Sequence, residues 1–155
     1  RSVRARAREI EKVHAKLEHD LHRTPTEEEI AGRLDMSLDE FRDALLEIAN
    51  SSVLALDDLW TVADPGGGQI SLLDTVRDPT AVDPHQEIDA SELKDRLAIA
   101  IESLPDRERL VIALYHYENL TLREIGEVLA VTESRVSQLH TKAVMGLRAN
   151  LQTVS

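Results

Sequence analysis

The side chains best placed to do chemistry lie in Thr121–Leu147, on the second of two predicted helices. Its candidate contact residues are Arg135, Ser137, Gln138, Thr141 and Lys142. Arg can hydrogen-bond guanine O6 and N7, Gln can hydrogen-bond adenine N6 and N7, and Ser can pair with either base. A helix, a tight turn and a second helix with such a face predict a helix-turn-helix that presents its second helix to the major groove.

Within that segment, we predict that Thr132 caps the second helix and that Val136 and Leu139 anchor it inward. The outward positions then divide into two groups. The base-reading residues are Ser134, Arg135, Ser137 and Gln138, and the backbone-contacting residues are Arg123, Thr141 and Lys142. The alternative is that these are ordinary solvated polar residues, since helix-turn-helix packing also occurs in proteins that bind no DNA.

Other candidate sites are weaker. Arg1, Arg4 and Arg8 could touch a DNA backbone, although a solvated basic helix face explains them at least as well. His19 and His22 lack the further ligands that a metal site needs, and the chain has no cysteine. No catalytic constellation or phosphate-binding loop is recognisable. We therefore expect no metal, no cofactor and no enzymatic activity.

The net charge of −11 is unevenly distributed along the chain. Residues 1–23 carry seven basic and four acidic side chains, whereas residues 57–92 carry one basic and nine acidic ones. Residues 121–155 carry four basic and three acidic ones. Phosphate binding depends on local rather than total charge, so DNA remains a candidate partner, bound weakly by this chain alone.

The apolar periodicity predicts an all-α protein made of two small helical domains. Residues 1–56 form a predicted three-helix unit, and residues 89–155 carry the helix-turn-helix. Between them, residues 57–88 are acidic and rich in Gly and Pro, which is typical of a linker. The linker is either a solvated tether or a segment threaded into a partner, and its apolar island Ile70–Val76 slightly favours the second reading. No apolar run is long enough to cross a membrane, so we expect a cytoplasmic protein.

An internal repeat relates the two predicted domains. Thr26–Phe41 and Thr121–Val136 align at an offset of 95 residues, including Thr26 with Thr121 and Ile30 with Ile125. Both copies are predicted to pack like a helix-turn-helix. The second helix of the first copy opens with Leu38, Asp39 and Glu40, which would repel phosphate. Only the second copy is therefore predicted to read DNA.

The motifs of Leu104–Arg148 resemble region 4 of bacterial RNA polymerase sigma factors. The segment opens with LPDRER, continues with LTLREIG and contains VSQLHTKA. Arg1–Phe41 resembles region 3, and the acidic linker resembles the connector between the two regions. The resemblance covers nearly the whole chain and is most similar to alternative sigma factors of the flagellar and sporulation type.

The resemblance implies partners as well as a fold. It implies that the helix-turn-helix reads the promoter −35 element and holds the flap of the polymerase β subunit. It further implies that the Arg1–Arg8 face touches DNA upstream of the −10 element, and that the linker enters the polymerase active-site channel. Sigma factors of this type are commonly restrained by an anti-sigma protein. Region 2 is missing from the chain, so we expect no transcription start by the chain alone.

Two other functions compete with a sigma factor. A stand-alone helix-turn-helix regulator would bind an operator as a dimer, although no heptad seam or extra helix supplies a dimer interface. A pure interaction module would pack its helix-turn-helix on protein. The double substitution Arg135→Ala with Gln138→Ala should abolish −35 selectivity in a sigma factor and operator binding in a stand-alone regulator. It should have no measurable effect in an interaction module.

Overall fold

A computed structural model describes residues 2–51, 61–63, 69–71 and 87–153, with side chains described for 2–51 and 95–150. Its helices are α1 (Val3–Leu21), α2 (Glu27–Arg33), α3 (Leu38–Asn50), α4 (Glu87–Glu102), α5 (Asp106–His116), α6 (Leu122–Leu129) and α7 (Glu133–Thr153). The strands β1 (Thr61–Ala63) and β2 (Gln69–Ser71) pair antiparallel, with Val62 opposite Ile70. The all-α class is confirmed, and this minimal strand pair is an addition that the sequence did not predict.

Side-chain caps define where several helices begin. Thr26, Ser37 and Thr121 each accept a hydrogen bond from the backbone N–H three residues on, and the Glu at that position bonds back to the cap backbone. These reciprocal capping boxes satisfy N–H groups that a helix start otherwise leaves without a partner. The Thr132 hydroxyl accepts from Arg135 N at 3.0 Å, which confirms the predicted cap of α7.

The long helix α7 is the centre of the molecule. It contacts α1, α3, α4, α5 and α6, and its side chains are buried on every side from Gln138 to Leu147. A helix buried all round is a core element rather than an amphipathic surface helix. The two predicted helical units are therefore packed on each other around α7.

Two apolar clusters hold this arrangement together. The larger joins residues of α1–α3, including Phe41 and Ile48, to Ile112 of α5 and Met145 of α7. The smaller joins Val111 of α5 to Ile125, Val136 and Leu139 of the helix-turn-helix. The inward anchoring predicted for Val136 and Leu139 is thus confirmed.

Some residues with predicted roles lie outside the described residues. They are Arg1, most of the predicted linker 57–88 and most of the apolar island Ile70–Val76. The division into 1–56, 57–88 and 89–155 stays a prediction. Among the residues that the structure describes, no helix is long and apolar enough to span a membrane.

Candidate nucleic-acid interface

Helices α6 and α7 form a helix-turn-helix with a tight turn between them. Ala130 ends α6 in the left-handed region, with φ of 58°, and Val131 N donates to Gly126 O at 2.9 Å. A Cβ on Gly126 would lie 2.8 Å from the Val131 carbonyl oxygen, closer than such atoms approach in proteins. The absence of a side chain at Gly126 therefore lets the turn close against α6.

Gly126→Ala is expected to lower the free energy of unfolding by about 1–3 kcal/mol, because the turn backbone must move to admit the methyl group. Gly32 is the matched control, since it occupies a helix and a Cβ there meets nothing within 4 Å. Gly32→Ala should raise stability by about 0.4–1 kcal/mol through the entropy of the unfolded chain. Urea denaturation of the two variants measures both effects, and equal shifts would contradict the role given to Gly126.

The predicted base-reading residue Arg135 is engaged by the first helical unit. Its guanidinium makes a bidentate ion pair with the Glu27 carboxylate, at 2.9 Å from Nη1 and 2.5 Å from Nη2. Arg42 approaches the same carboxylate at 3.4 Å. Gln138 donates from Nε2 to the Arg42 carbonyl oxygen at 3.2 Å, and its Oε1 accepts from Arg135. The two residues that best suit base recognition thus bind protein in this arrangement.

The predicted phosphate ligand Lys142 is buried as well. Its Nζ lies 2.9 Å from Glu108 Oε2, and the two side chains are only 2% and 5% exposed. Thr141 beside it is 3% exposed. The prediction that these positions face outward with Arg135 and Gln138 is wrong for this arrangement, because α1–α3 and α5 cover the face of α7 that carries them.

The remaining predicted contacts lie on the surface. Ser134, Arg4 and Arg8 are exposed, and Ser137 is partly exposed. Arg123 is 81% exposed, with Glu127 4.0 Å away on the next turn of α6. The residues of α1 and α6 predicted to contact the DNA backbone are therefore accessible, whereas most of the predicted base-reading face of α7 is covered.

The pKa values of the two covering carboxylates, Glu27 and Glu108, are shifted in opposite directions. Burial raises the pKa of Glu27, but hydrogen bonds and charges from Arg135 and Arg42 outweigh burial and hold that pKa below its usual value. Burial raises the pKa of Glu108, and the Lys142 ammonium only partly offsets it. Sequence reasoning missed both residues, since Glu27 is explained locally by the N-terminal dipole of α2.

Three buried histidines lie on α7 or pack against it. His116 Nε2 and His140 Nε2 lie 3.2 Å apart, where one ring donates and the other accepts. His14 of α1 abuts Gly146, where an added Cβ would lie 2.8 Å from His14 Nε2. Burial lowers the pKa of His140 to about 4. Burial and the charge of Lys142 lower the pKa of His14 to about 3.

The lowered pKa values of His14 and His140 predict that acid destabilises the folded protein at pH values above those at which carboxylates usually titrate. The unfolded chain takes up protons near pH 6.5 and the folded chain only near pH 3–4, so stability is complete above pH 6.5 and falls below it. The urea midpoint should decline between pH 6.5 and 4.5. His140→Gln should flatten this decline relative to the exposed His19→Gln, and identical profiles for the two would contradict the assignment.

Comparison with known proteins places these features in a family. The family model for sigma-70 region 3 matches residues 5–88, and that for sigma-70 region 4 matches residues 100–149. The chain is 43% identical to RNA polymerase sigma factor FliA of Escherichia coli (strain K12) over 97% of its length and 61% of the relative's. It is 34% identical to RNA polymerase sigma-D factor of Bacillus subtilis (strain 168), over 99% of the chain and 59% of the relative.

Among solved structures, one titled as a cocrystal structure of the flagellar sigma/anti-sigma complex, Sigma-28/FlgM, matches with a TM-score of 0.47 and 35% identity. That match covers 99% of this chain and 60% of the other. The chain therefore spans about three fifths of the length of the curated relatives it matches. The chain belongs to the sigma-70 family, of which it carries regions 3 and 4.

Proposed function

We propose that this chain is the promoter-reading, C-terminal part of a sigma factor of the flagellar type. Its helix-turn-helix would read the −35 element through Ser134, Arg135, Ser137 and Gln138. Arg123, Thr141 and Lys142 would contact the backbone there, and Arg1, Arg4 and Arg8 would contact it near the −10 element. Core RNA polymerase and promoter DNA are the partners, the chain is a non-enzymatic regulatory subunit, and it acts in the cytoplasm. The residue types of α7 and the named relatives support this proposal.

The single observation that carries the mechanism is the engagement of Arg135 and Gln138 by α2 and α3. A guanidinium bound bidentately to Glu27 cannot also bond a guanine, and a major groove cannot approach α7 while α1–α3 cover it. Reading therefore requires that α1–α3 leave α7. We call the described arrangement the closed state and the separated one the open state.

Thermodynamic linkage then determines whether each partner shifts the equilibrium toward the open or the closed state. A partner that binds only the open state, such as promoter DNA, pulls the equilibrium toward opening, and a partner that binds only the closed state opposes it. Polymerase that held the two units apart would raise affinity for the −35 element. A restraining anti-sigma protein would act in the opposite direction, by holding α1–α3 on α7 and keeping Arg135 paired with Glu27.

Run-off transcription tests the proposal. Core polymerase and a complete flagellar-type sigma factor are assayed on a flagellar-type promoter, with this chain titrated as competitor. The chain should bind core polymerase and suppress initiation at least tenfold at saturation, because it competes for the same sites on polymerase. Failure to bind polymerase would contradict the proposal, and operator selection by the isolated chain would instead support a stand-alone regulator.

A second arm tests the reading residues. A complex of core polymerase with the chain should retain a duplex bearing a flagellar-type −35 element. Arg135→Ala with Gln138→Ala should lower that affinity by about a hundredfold, since each well-paired base contact contributes about 1–3 kcal/mol of discrimination. Ser134→Ala with Ser137→Ala should have a smaller effect. Unchanged retention by the Arg135 and Gln138 variant would refute base reading by α7.

A further inference from the structure

The repeat in the sequence is also a repeat in backbone geometry. Asp35 and Ala130, which are 95 residues apart, both adopt the left-handed conformation, with φ of 57° and 58°. Met36 N donates to Ala31 O and Val131 N donates to Gly126 O, each at 2.9 Å. Helices α2 and α3 therefore form a second helix-turn-helix of the same construction as α6 and α7.

The same offset relates the outer faces of α3 and α7. Glu40, Asp43 and Glu47 occupy the positions of Arg135, Gln138 and Lys142. All three α3 side chains are exposed, whereas their counterparts on α7 are engaged with protein. The first copy thus presents the face that a helix-turn-helix uses for recognition, but with three acids where the second copy has two cations and an amide.

This acidic face borders an open groove of about 340 Å³ between α1 and α3, which is lined by five charged and four apolar side chains. Ile10 and Ala44 lie at its base, Leu34 and Met36 at its side, and Arg6 and Glu9 complete the lining with the three acids. A cavity of about 150 Å³ already holds a benzene ring, so the groove has room for more than one apolar side chain. Every lining residue belongs to residues 6–47, so the groove does not depend on whether α7 is covered.

The charge of the groove indicates the chemistry of a molecule that would bind in it. Four carboxylates and one guanidinium line it, which repels the phosphates of nucleic acid and attracts cations. An amphipathic helix laid in a groove inserts apolar anchors at positions i and i+4 or i and i+3. We propose that this acidic groove docks a basic amphipathic segment of a partner protein, with one or two apolar side chains between α1 and α3 and Lys or Arg against Asp43 and Glu47.

The proposal is independent of DNA reading and can be tested with the full chain. The probe is a fluorescein-labelled 18-residue peptide with Leu on one helical face and Lys on the other, used in anisotropy titrations. Two control peptides replace all Leu by Ser or all Lys by Glu. The Leu/Lys peptide should bind at least tenfold more tightly than either control, because the groove requires both apolar anchors and positive charge.

Paired charge variants separate the groove from the general acidity of the chain. Asp43→Lys with Glu47→Lys should weaken binding of the Leu/Lys peptide at least tenfold. Glu102→Lys with Glu118→Lys makes the same charge change at exposed positions elsewhere and should weaken it less than twofold. The milder Asp43→Asn with Glu47→Gln should give an intermediate loss, and it keeps the test valid if the Lys variant fails to fold.

Several outcomes would overturn the proposal. Equal losses in the two Lys variants would show diffuse charge attraction, and equal binding of the Leu and Ser peptides would show that the groove takes no apolar anchor. Peptide-induced protection from amide hydrogen exchange should appear in α1 and α3, and protection confined to other helices would exclude this site. The proposal would also be rejected if the Leu/Lys peptide did not bind and the chain instead bound duplex DNA with an affinity that Asp43→Lys with Glu47→Lys leaves unchanged.

Discussion

Glu27→Gln is expected to raise affinity for a duplex bearing the −35 element by up to about a hundredfold. In the closed state Arg135 pairs with Glu27, and removal of the carboxylate charge leaves two partly buried guanidiniums without their counter-ion. Breaking a buried pair from one side costs about 3–5 kcal/mol, and partial exposure of Arg135 places this case at the lower end. The open state pays no such cost, so the equilibrium and the apparent affinity both shift toward opening.

Glu28→Gln is the matched control for this prediction. It removes the same charge from the same first turn of α2, so it has the same effect on the helix dipole, yet Glu28 is exposed and acts on Arg135 through its charge, more weakly than Glu27 does. Affinity is measured by anisotropy with a labelled duplex. Equal affinity of the two variants would show that the Glu27–Arg135 pair does not restrain the reading helix.

Opening can be followed directly as well as through binding. The chain has no cysteine, so Lys16→Cys with Glu127→Cys introduces a unique pair of labelling sites at exposed positions of α1 and α6. Energy transfer between dyes at these sites should change in Glu27→Gln and should equal that of the parent double-cysteine chain in Glu28→Gln. A gain in DNA affinity without a change in transfer would mean that the substitution acts on DNA contacts rather than on the closed state.

The largest loss of stability is expected from breaking the Lys142–Glu108 pair. Lys142→Ala should lower the free energy of unfolding by about 3–5 kcal/mol, because it leaves the Glu108 carboxylate buried without its cation. Glu108→Ala should be similarly harmful. The double substitution Lys142→Met with Glu108→Leu should recover most of the loss, since apolar residues of similar volume remove both buried charges together.

Arg109→Ala is the matched control, because it breaks an ion pair with the exposed Asp106 on the same helix and should change stability little. Denaturation with guanidinium chloride, followed by the circular dichroism signal of the helices, gives the free energy of unfolding of all four variants. A double variant that loses as much stability as the two single variants together would contradict the pairing, since removal of both charges at once should leave neither one buried alone. The Lys142 substitutions should also reduce DNA binding if Lys142 meets a phosphate in the open state.

Local features of the fold were predictable from sequence because their causes are local. The capping boxes at Thr26 and Thr121 and the cap at Thr132 depend on residues only three positions apart. The spacing of Val136 and Leu139 likewise placed both on the inner face of α7. The motifs of Leu104–Arg148 indicated the family that the two family models confirm.

The burial of the predicted DNA-reading face of α7 could not be predicted in the same way. Helical periodicity places Arg135, Gln138 and Lys142 on the side of α7 that faces away from α6, and an isolated helix-turn-helix exposes that side. Glu27 lies 108 residues from Arg135, and Glu108 lies 34 residues from Lys142. No short-range pattern reports contacts of this length, and each carboxylate also has a sufficient local explanation in its own helix.

By itself, the sequence determined the helices, their caps, the repeated helix-turn-helix and the residue types suited to DNA, since each depends on neighbours within one or two helical turns. Tertiary structure alone decided which copy shows its recognition face. It buried the cationic face of α7 against Glu27 and Glu108 and left the acidic face of α3 beside an open groove. The physical reason is that exposure depends on what packs against a helix, and paired charges can be buried where a polar pattern alone indicates solvent.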